Sequence, residues 1–193
     1  MKRITAVASA VGVLLAIGCG GGTEPLRSET IDVQPTIFAT GEDAGPQDGE
    51  FDRFVLSPNL GMVNNNGFGN YRTAVEYALP RLPFDATITS ASLRLPLLIF
   101  EGMRSIEIHA YAADGAAQLT DFTANQVLAT YVVSGHQNFV LDATTFVNNR
   151  RANNGAFVGF NIREEPPNTP NFLIMRVRED PPPLLRIEYT TRL

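Results

Sequence analysis

One pattern decides most of what this 193-residue chain can become: apolar residues recur at every second position. In TITSASLRLPLLI, residues 87–99, Ala91, Leu93, Leu95, Leu97 and Ile99 fall on one side, with Ser92, Arg94 and Pro96 on the other. Side chains that alternate in direction belong to a β-strand, and one oily side means half burial. RTAVEYAL repeats the pattern, with Thr73, Val75, Tyr77 and Leu79 inward and Arg72, Ala74 and Glu76 outward. SIEIHAYA sets Ile106, Ile108 and Ala110 against Glu107, His109 and Tyr111, and NFLIMRVRE and LLRIEYT alternate near the end. Fainter versions in TIDVQPTIFA, FDRFVLS, VLATYVVS, NFVLDA and GAFVGFNI bring the expectation to about ten short strands.

The strands are punctuated by GEDAGPQDG, NNNGFGN, EEPPNTPN and EDPPP, each dense in turn-forming residues. Only DATTFVNNRR suggests a helical turn, with Asp142 or Thr144 as its cap and Phe146 and Val147 on its apolar side. Pro96 cannot donate to a ladder, so it argues for an edge strand or a bulge. The expected fold is all-β: a two-sheet antiparallel β-sandwich, jelly-roll-like, with an open barrel as the next option.

The first residues follow other rules. Lys2 and Arg3 precede an apolar run from Ile4 to Gly18, the form of a secretory signal. That run falls short of the ~20 residues a spanning helix needs. Leu15-Ala16-Ile17-Gly18-Cys19 resembles the lipobox of bacterial lipoproteins. The resemblance implies cleavage before Cys19, the only cysteine, with acylation of its sulfur and new amino group. It also implies outer-membrane sorting, because Gly20 rather than Asp follows the cysteine. The expected organisation is a signal peptide over 1–18, a lipidated cysteine and flexible tether over 19–29, and one β-sandwich domain over 30–193. The mature 175 residues would carry 13 basic against 20 acidic groups. That acidity disfavours nucleic acid and anionic lipid as partners; the lipobox resemblance implies contact with the membrane through the acyl anchor.

YRTAVEYALPRLPFDATITSASLRL, FVLDATTFVNN, GAFVGFNIRE and PPPLLRIEYT together resemble the DNRLRE-type domain, related to carbohydrate-binding module family 96. Arg72, Leu82 to Pro83, Ala86 to Leu95, Asp142 to Thr144 and Leu184 to Tyr189 fall on its scheme, over roughly residues 51–190. The resemblance implies a sandwich that binds polysaccharide or cell-wall glycan. The chain departs from the scheme in having no tryptophan, at Phe84 and Asp85 before the Ala-Thr-Ile phrase, and at Pro96.

The chemical inventory is thin. His109 and His136 are the only histidines, and no nucleophile elbow, zinc motif or phosphate loop is present. Glu164 and Glu165 lie in a proline-rich stretch without glycosidase spacing. Asp48, Glu50 and Asp52 alternate in a Gly-rich loop, but Asn59 stands where a calcium loop needs its bidentate acid. No catalytic residue, cofactor or metal is expected. The expected ligand face combines Arg94, Glu107, His109, Tyr111, Arg176 and Arg178, with Arg186 and Glu188 beside them, where an aromatic and charged donors would suit polyols or carboxylates. The NNRRANN segment offers an arginine pair for an acidic glycan. The expectation is a lipid-anchored, non-catalytic envelope module that binds glycan; the alternative is a structural or protein-interaction lipoprotein with no small ligand.

Overall fold

The computed structural model describes residues 24–44, 49–55, 61–65, 69–99, 103–164, 175–177 and 181–192. Its strands are β1 (Leu26–Val33), β2 (Ile37–Ala44), β3 (Arg53–Val55), β4 (Met62–Asn65), β5 (Gly69–Ala78) and β6 (Thr87–Ile99), followed by β7 (Met103–Tyr111), β8 (Gln126–Ser134), β9 (Gln137–Asp142), β10 (Phe157–Glu164), β11 (Met175–Val177) and β12 (Leu184–Arg192). A 3₁₀ turn spans Leu119–Thr123, and one helix, α1, spans Thr144–Ala152. Two antiparallel sheets pack face to face, one ordered β1-β12-β6-β9 and the other β3-β2-β5-β10-β7-β8. From β5 onward the chain crosses between layers at nearly every connection, so sequence neighbours such as β5 and β6 lie in different sheets. This is a jelly-roll sandwich. β11 continues beside β6 where β12 has ended, and β4 pairs with both β11 and β5, joining the layers at one end.

The core is the inward half of the alternation read from the sequence. Leu93, Leu95 and Ile187 of one sheet face Val75, Tyr77, Phe160 and Ile108 of the other. Tyr77 and Phe146 each set an edge against the Phe160 ring, with centroids 6.0 and 5.9 Å apart. Burying each such side chain contributes roughly 1.5–3 kcal/mol.

Four expectations change. TIDVQPTIFA is two strands in different layers: β1 pairs with β12, whereas β2 pairs with β5. Pairing begins at Leu26 opposite Arg192, so residues 26–29 belong to the sandwich rather than to a tether. Their side chains are mostly exposed, which is why no apolar signal marked them. Pro96 lies inside β6, neither on an edge strand nor at a bulge. It is matched with Asn138 of β9 on one flank. On the other flank the β12 ladder stops at Arg94 and the β11 ladder starts at Leu97, so a missing N–H costs little there. The single helical turn is a nine-residue helix.

α1 starts where the Asp142 carboxylate accepts the Thr144 N–H at 2.8 Å, and Thr144 Oγ1 accepts the Ala91 N–H at 2.9 Å. Its other end closes in a Schellman motif: Gly155 N–H reaches Arg150 O, and Asn154 N–H reaches Arg151 O. Asn154 sits at φ 57°, the left-handed conformation this cap requires. A Cβ there costs roughly 1–2 kcal/mol, least for Asn. Asn154→Val is therefore expected to lower the urea midpoint by an amount corresponding to about 1 kcal/mol, while Asn154→Gly leaves it unchanged or raises it. Equal losses in both variants would show that φ at this position does not govern the cap.

Candidate functional site

The outward side of the six-stranded sheet holds three of the predicted site residues, and their surroundings follow from strand register. Gly159 lies between Glu76 on β5 and Tyr111 on β7. Asn161 lies between Ala74 and His109, and Arg163 is matched with Glu107. The glycine is needed because a Cβ at 159 would come within 2.3 Å of the Tyr111 ring. The ring therefore crosses over β10, and its hydroxyl donates to Glu76 Oε1 two strands away, at 3.1 Å.

This face is roofed. The segment from 112 to 125, containing the 3₁₀ turn, folds back over it. Gly115 N–H donates to Glu76 Oε2 at 3.0 Å. Asn161 Nδ2 donates to Asp121 O at 3.0 Å, and Arg72 Nη1 to Phe122 O at 2.7 Å. Phe122 is fully buried in a small second core with Phe51 and Ala74. It lies over Gly41, where a Cβ would meet its ring at 2.4 Å. Phe51 stacks obliquely on Phe122 with centroids 5.2 Å apart, and the Arg72 guanidinium lies 5.1 Å from the Phe51 ring centroid.

Beneath the roof, His109 is only 1 % exposed. Its Nε2 lies 2.8 Å from Glu107 Oε2 and accepts from Arg163 Nε at 2.7 Å, while Arg163 Nη2 sits 2.7 Å from Nδ1. Burial lowers the His109 pKa, outweighing the Glu107 carboxylate, and the Arg163 charge lowers it further. The ring is held neutral between an acid and a guanidinium, out of reach of solvent. Burial raises the Glu76 carboxyl despite the Tyr111 and Gly115 donors. It likewise raises Asp121 and pushes the Tyr111 hydroxyl up. Asn161 Oδ1 is buried without a hydrogen-bond partner.

The predicted ligand face is therefore not one face. Glu107 and His109 meet each other, and Tyr111 is bonded to Glu76, all on the six-stranded layer. Arg94 stands on the exposed side of the four-stranded layer, with Arg186, which forms a fork-like pair with Asp32 at 2.7 and 2.9 Å. Arg176 is matched with Leu98 and Met62 in β11, while Arg178, Cys19 and the Asp48 and Asn59 positions lie outside the described residues. Among the described residues no His, Cys, Asp and Glu group could hold a metal ion. The arginine pair of NNRRANN lies in the last turn of α1, not on a loop. Arg150 donates to Phe157 O and Ala113 O, and Arg151 to Ala86 O and Pro83 O.

The features missed from sequence lie at the opposite end of the logic, in segments without periodicity. Leu119 and Phe122 are three apart, the 3₁₀ spacing, behind a Gln118–Asp121 capping box. A second feature is a cleft of about 440 Å³ between the β5–β6 connection and the α1 C-terminus, lined by Leu79, Leu82, Ile88, Ile187, Arg81 and Arg151. Phe84, at the tip of that connection, is fully exposed. Asp85 accepts the Arg192 N–H at 2.8 Å, which places Phe84 at the end of the sandwich where β1 begins at Leu26.

Two outcomes test the roofed face. Gly159→Ala forces the Tyr111 ring off its seat and is expected to cost about 1–3 kcal/mol, read from urea unfolding. The raised Glu76 pKa means that the folded state holds this proton above the ordinary value of 4.5, so its contribution is full below that pH and is lost as pH rises through the folded pKa. Glu76→Gln is therefore expected to gain stability relative to wild type as pH rises from 4.5; parallel stability curves would show that the carboxyl is not desolvated.

No family model matches the chain, and no curated protein matches it.

Proposed function

We propose that this chain is a lipid-anchored, non-catalytic module of the bacterial cell envelope that acts through its outer surfaces rather than through an enclosed polar site. The carrying observation is how its polar groups are spent. His109 bonds with Glu107 and Arg163, Tyr111 bonds with Glu76, and Arg150 and Arg151 bond to backbone carbonyls. A reacting group needs access to substrate and a partner aimed at it, and these groups are turned inward. The lipobox-like Leu15–Cys19 supports anchoring, and only seven positions separate Cys19 from Leu26. A chain spans at most ~3.3–3.6 Å per residue, so an acylated Cys19 would hold the Leu26 end within about 25 Å of the bilayer.

A second reading, glycan binding, is favoured by one observation: the cleft lined by Arg81 and Leu82, in the same β5–β6 connection that carries the fully exposed Phe84. Its size suits a sugar residue, and an aromatic face next to polar donors suits a pyranose. It replaces the dispersed Arg94–Tyr111 face as the place for such a ligand, and it accords with the resemblance to carbohydrate-binding domains.

An alkyne fatty acid fed to expressing cells is expected to label the wild-type protein and not Cys19→Ser; an unlabelled wild type would remove the anchor. Polysaccharide pull-down across neutral and acidic glycans separates the two readings. The scaffold reading expects no saturable binding, whereas binding lost in Phe84→Ala establishes the cleft as the ligand site.

A further inference from the structure

The sandwich has four lateral edges, and they are protected unequally. β1 carries Arg27, Glu29 and Asp32 along its eight residues, with Asp32 paired to Arg186. β3 is three residues long and places Arg53 against Glu42 at 2.8 Å. Charge and shortness are the usual means of blunting an open strand edge, which otherwise offers a row of unpaired N–H and C=O groups. β8 has neither protection, and β9 carries a charge only at its last residue, Asp142. β8 closes the six-stranded sheet beyond β7, β9 closes the other sheet beyond β6, and only Gly135 and His136 connect them, so both edges lie on one flank. From Gln126 to Leu141 there is no Asp, Glu, Lys or Arg. This flank exposes Val127, Val132 and Val140, each more than half accessible.

We propose that this flank is a self-association surface, where β8 pairs antiparallel with β8 of a second copy about a two-fold axis. The joined sheets would run continuously through both molecules, an isologous contact that closes on itself. Charge selects a second copy as the occupant. The chain is acidic overall, with a formal charge of −5, and two copies repel wherever carboxylates meet. Along β8 no charge opposes another, and directly opposed like charges are what disfavours strand pairing. Register narrows the contact. β8 follows β7 regularly from Ser134 to Ala129 and then shifts at a bulge between Ile108 and His109. Bulges twist an edge away from pairing. The regular stretch 129–134 is thus the pairing segment, with Thr130 and Val132 on the exposed face.

The test uses the full-length chain in its membrane, with single cysteines at Thr130 or Val132 on β8 and at Ser28 on β1, followed by mild oxidation and a non-reducing gel. Disulfide-linked dimers are expected from β8 and not from Ser28→Cys. The two-fold can face only one of these positions, so one cysteine is expected to cross-link far better than the other; adding Lys at the other position is expected to abolish that dimer, and Thr there, which keeps strand propensity, to preserve it. No dimer at either β8 position, equal yield at Ser28, or a product of some other mass would overturn self-pairing; the last would assign the edge to a foreign strand. A dimer from the chain without an added cysteine would report a free Cys19 thiol. That result counts against acylation alone, and the β8 comparison is then read in a Cys19→Ser background.

Discussion

The middle of the six-stranded sheet, centred on β5 and β10, is buried on both faces, and that constraint organises the rest of the molecule. A sheet in a sandwich ordinarily turns one face to the core and one to water. Here the outward face is covered by the 112–125 segment, with Phe122 as its wedge. Polar residues on that face lose water and must find partners inside the protein. Hence Tyr111 reaches across a glycine to Glu76, Asn161 and Arg72 hold the roof's carbonyls, and His109 sits neutral against Arg163. The network is the consequence of the roof, and the roof is held by the network.

This explains what could be read from the chain and what could not. Alternation in β5, β6, β7 and β12 reports one buried face, and those strands are legible, with Val75, Tyr77, Leu93, Leu95, Ile106, Ile108, Leu185 and Ile187 buried as read. β10 gave a faint signal because it is covered on both sides, so FVGFNIRE shows no contrast between faces. Alternation shows only which side a residue is on. It does not say whether another segment covers that side. Nor does it say which strands are neighbours: Arg94 and His109 looked equivalent and stand on opposite layers.

Arginine placement illustrates the same limit. Arg150 and Arg151 in NNRRANN carry the composition of an anion-gripping loop, yet their guanidinium forks are filled by four carbonyl oxygens from three other segments. A planar fork matches paired acceptors whether they belong to a ligand or to the backbone. Composition alone cannot choose between them, and here the helix geometry of α1 does.

The pairing of β1 with β12 also governs when the molecule can be finished. Tyr189 donates to Glu29 across 160 positions of sequence, and every partner β1 has in its own sheet lies in the last strand. Contacts this distant in sequence are slow to form. A chain delivered across a membrane beginning with its amino end would therefore wait, with its earliest strand open, until the final residues arrived to lock it in place.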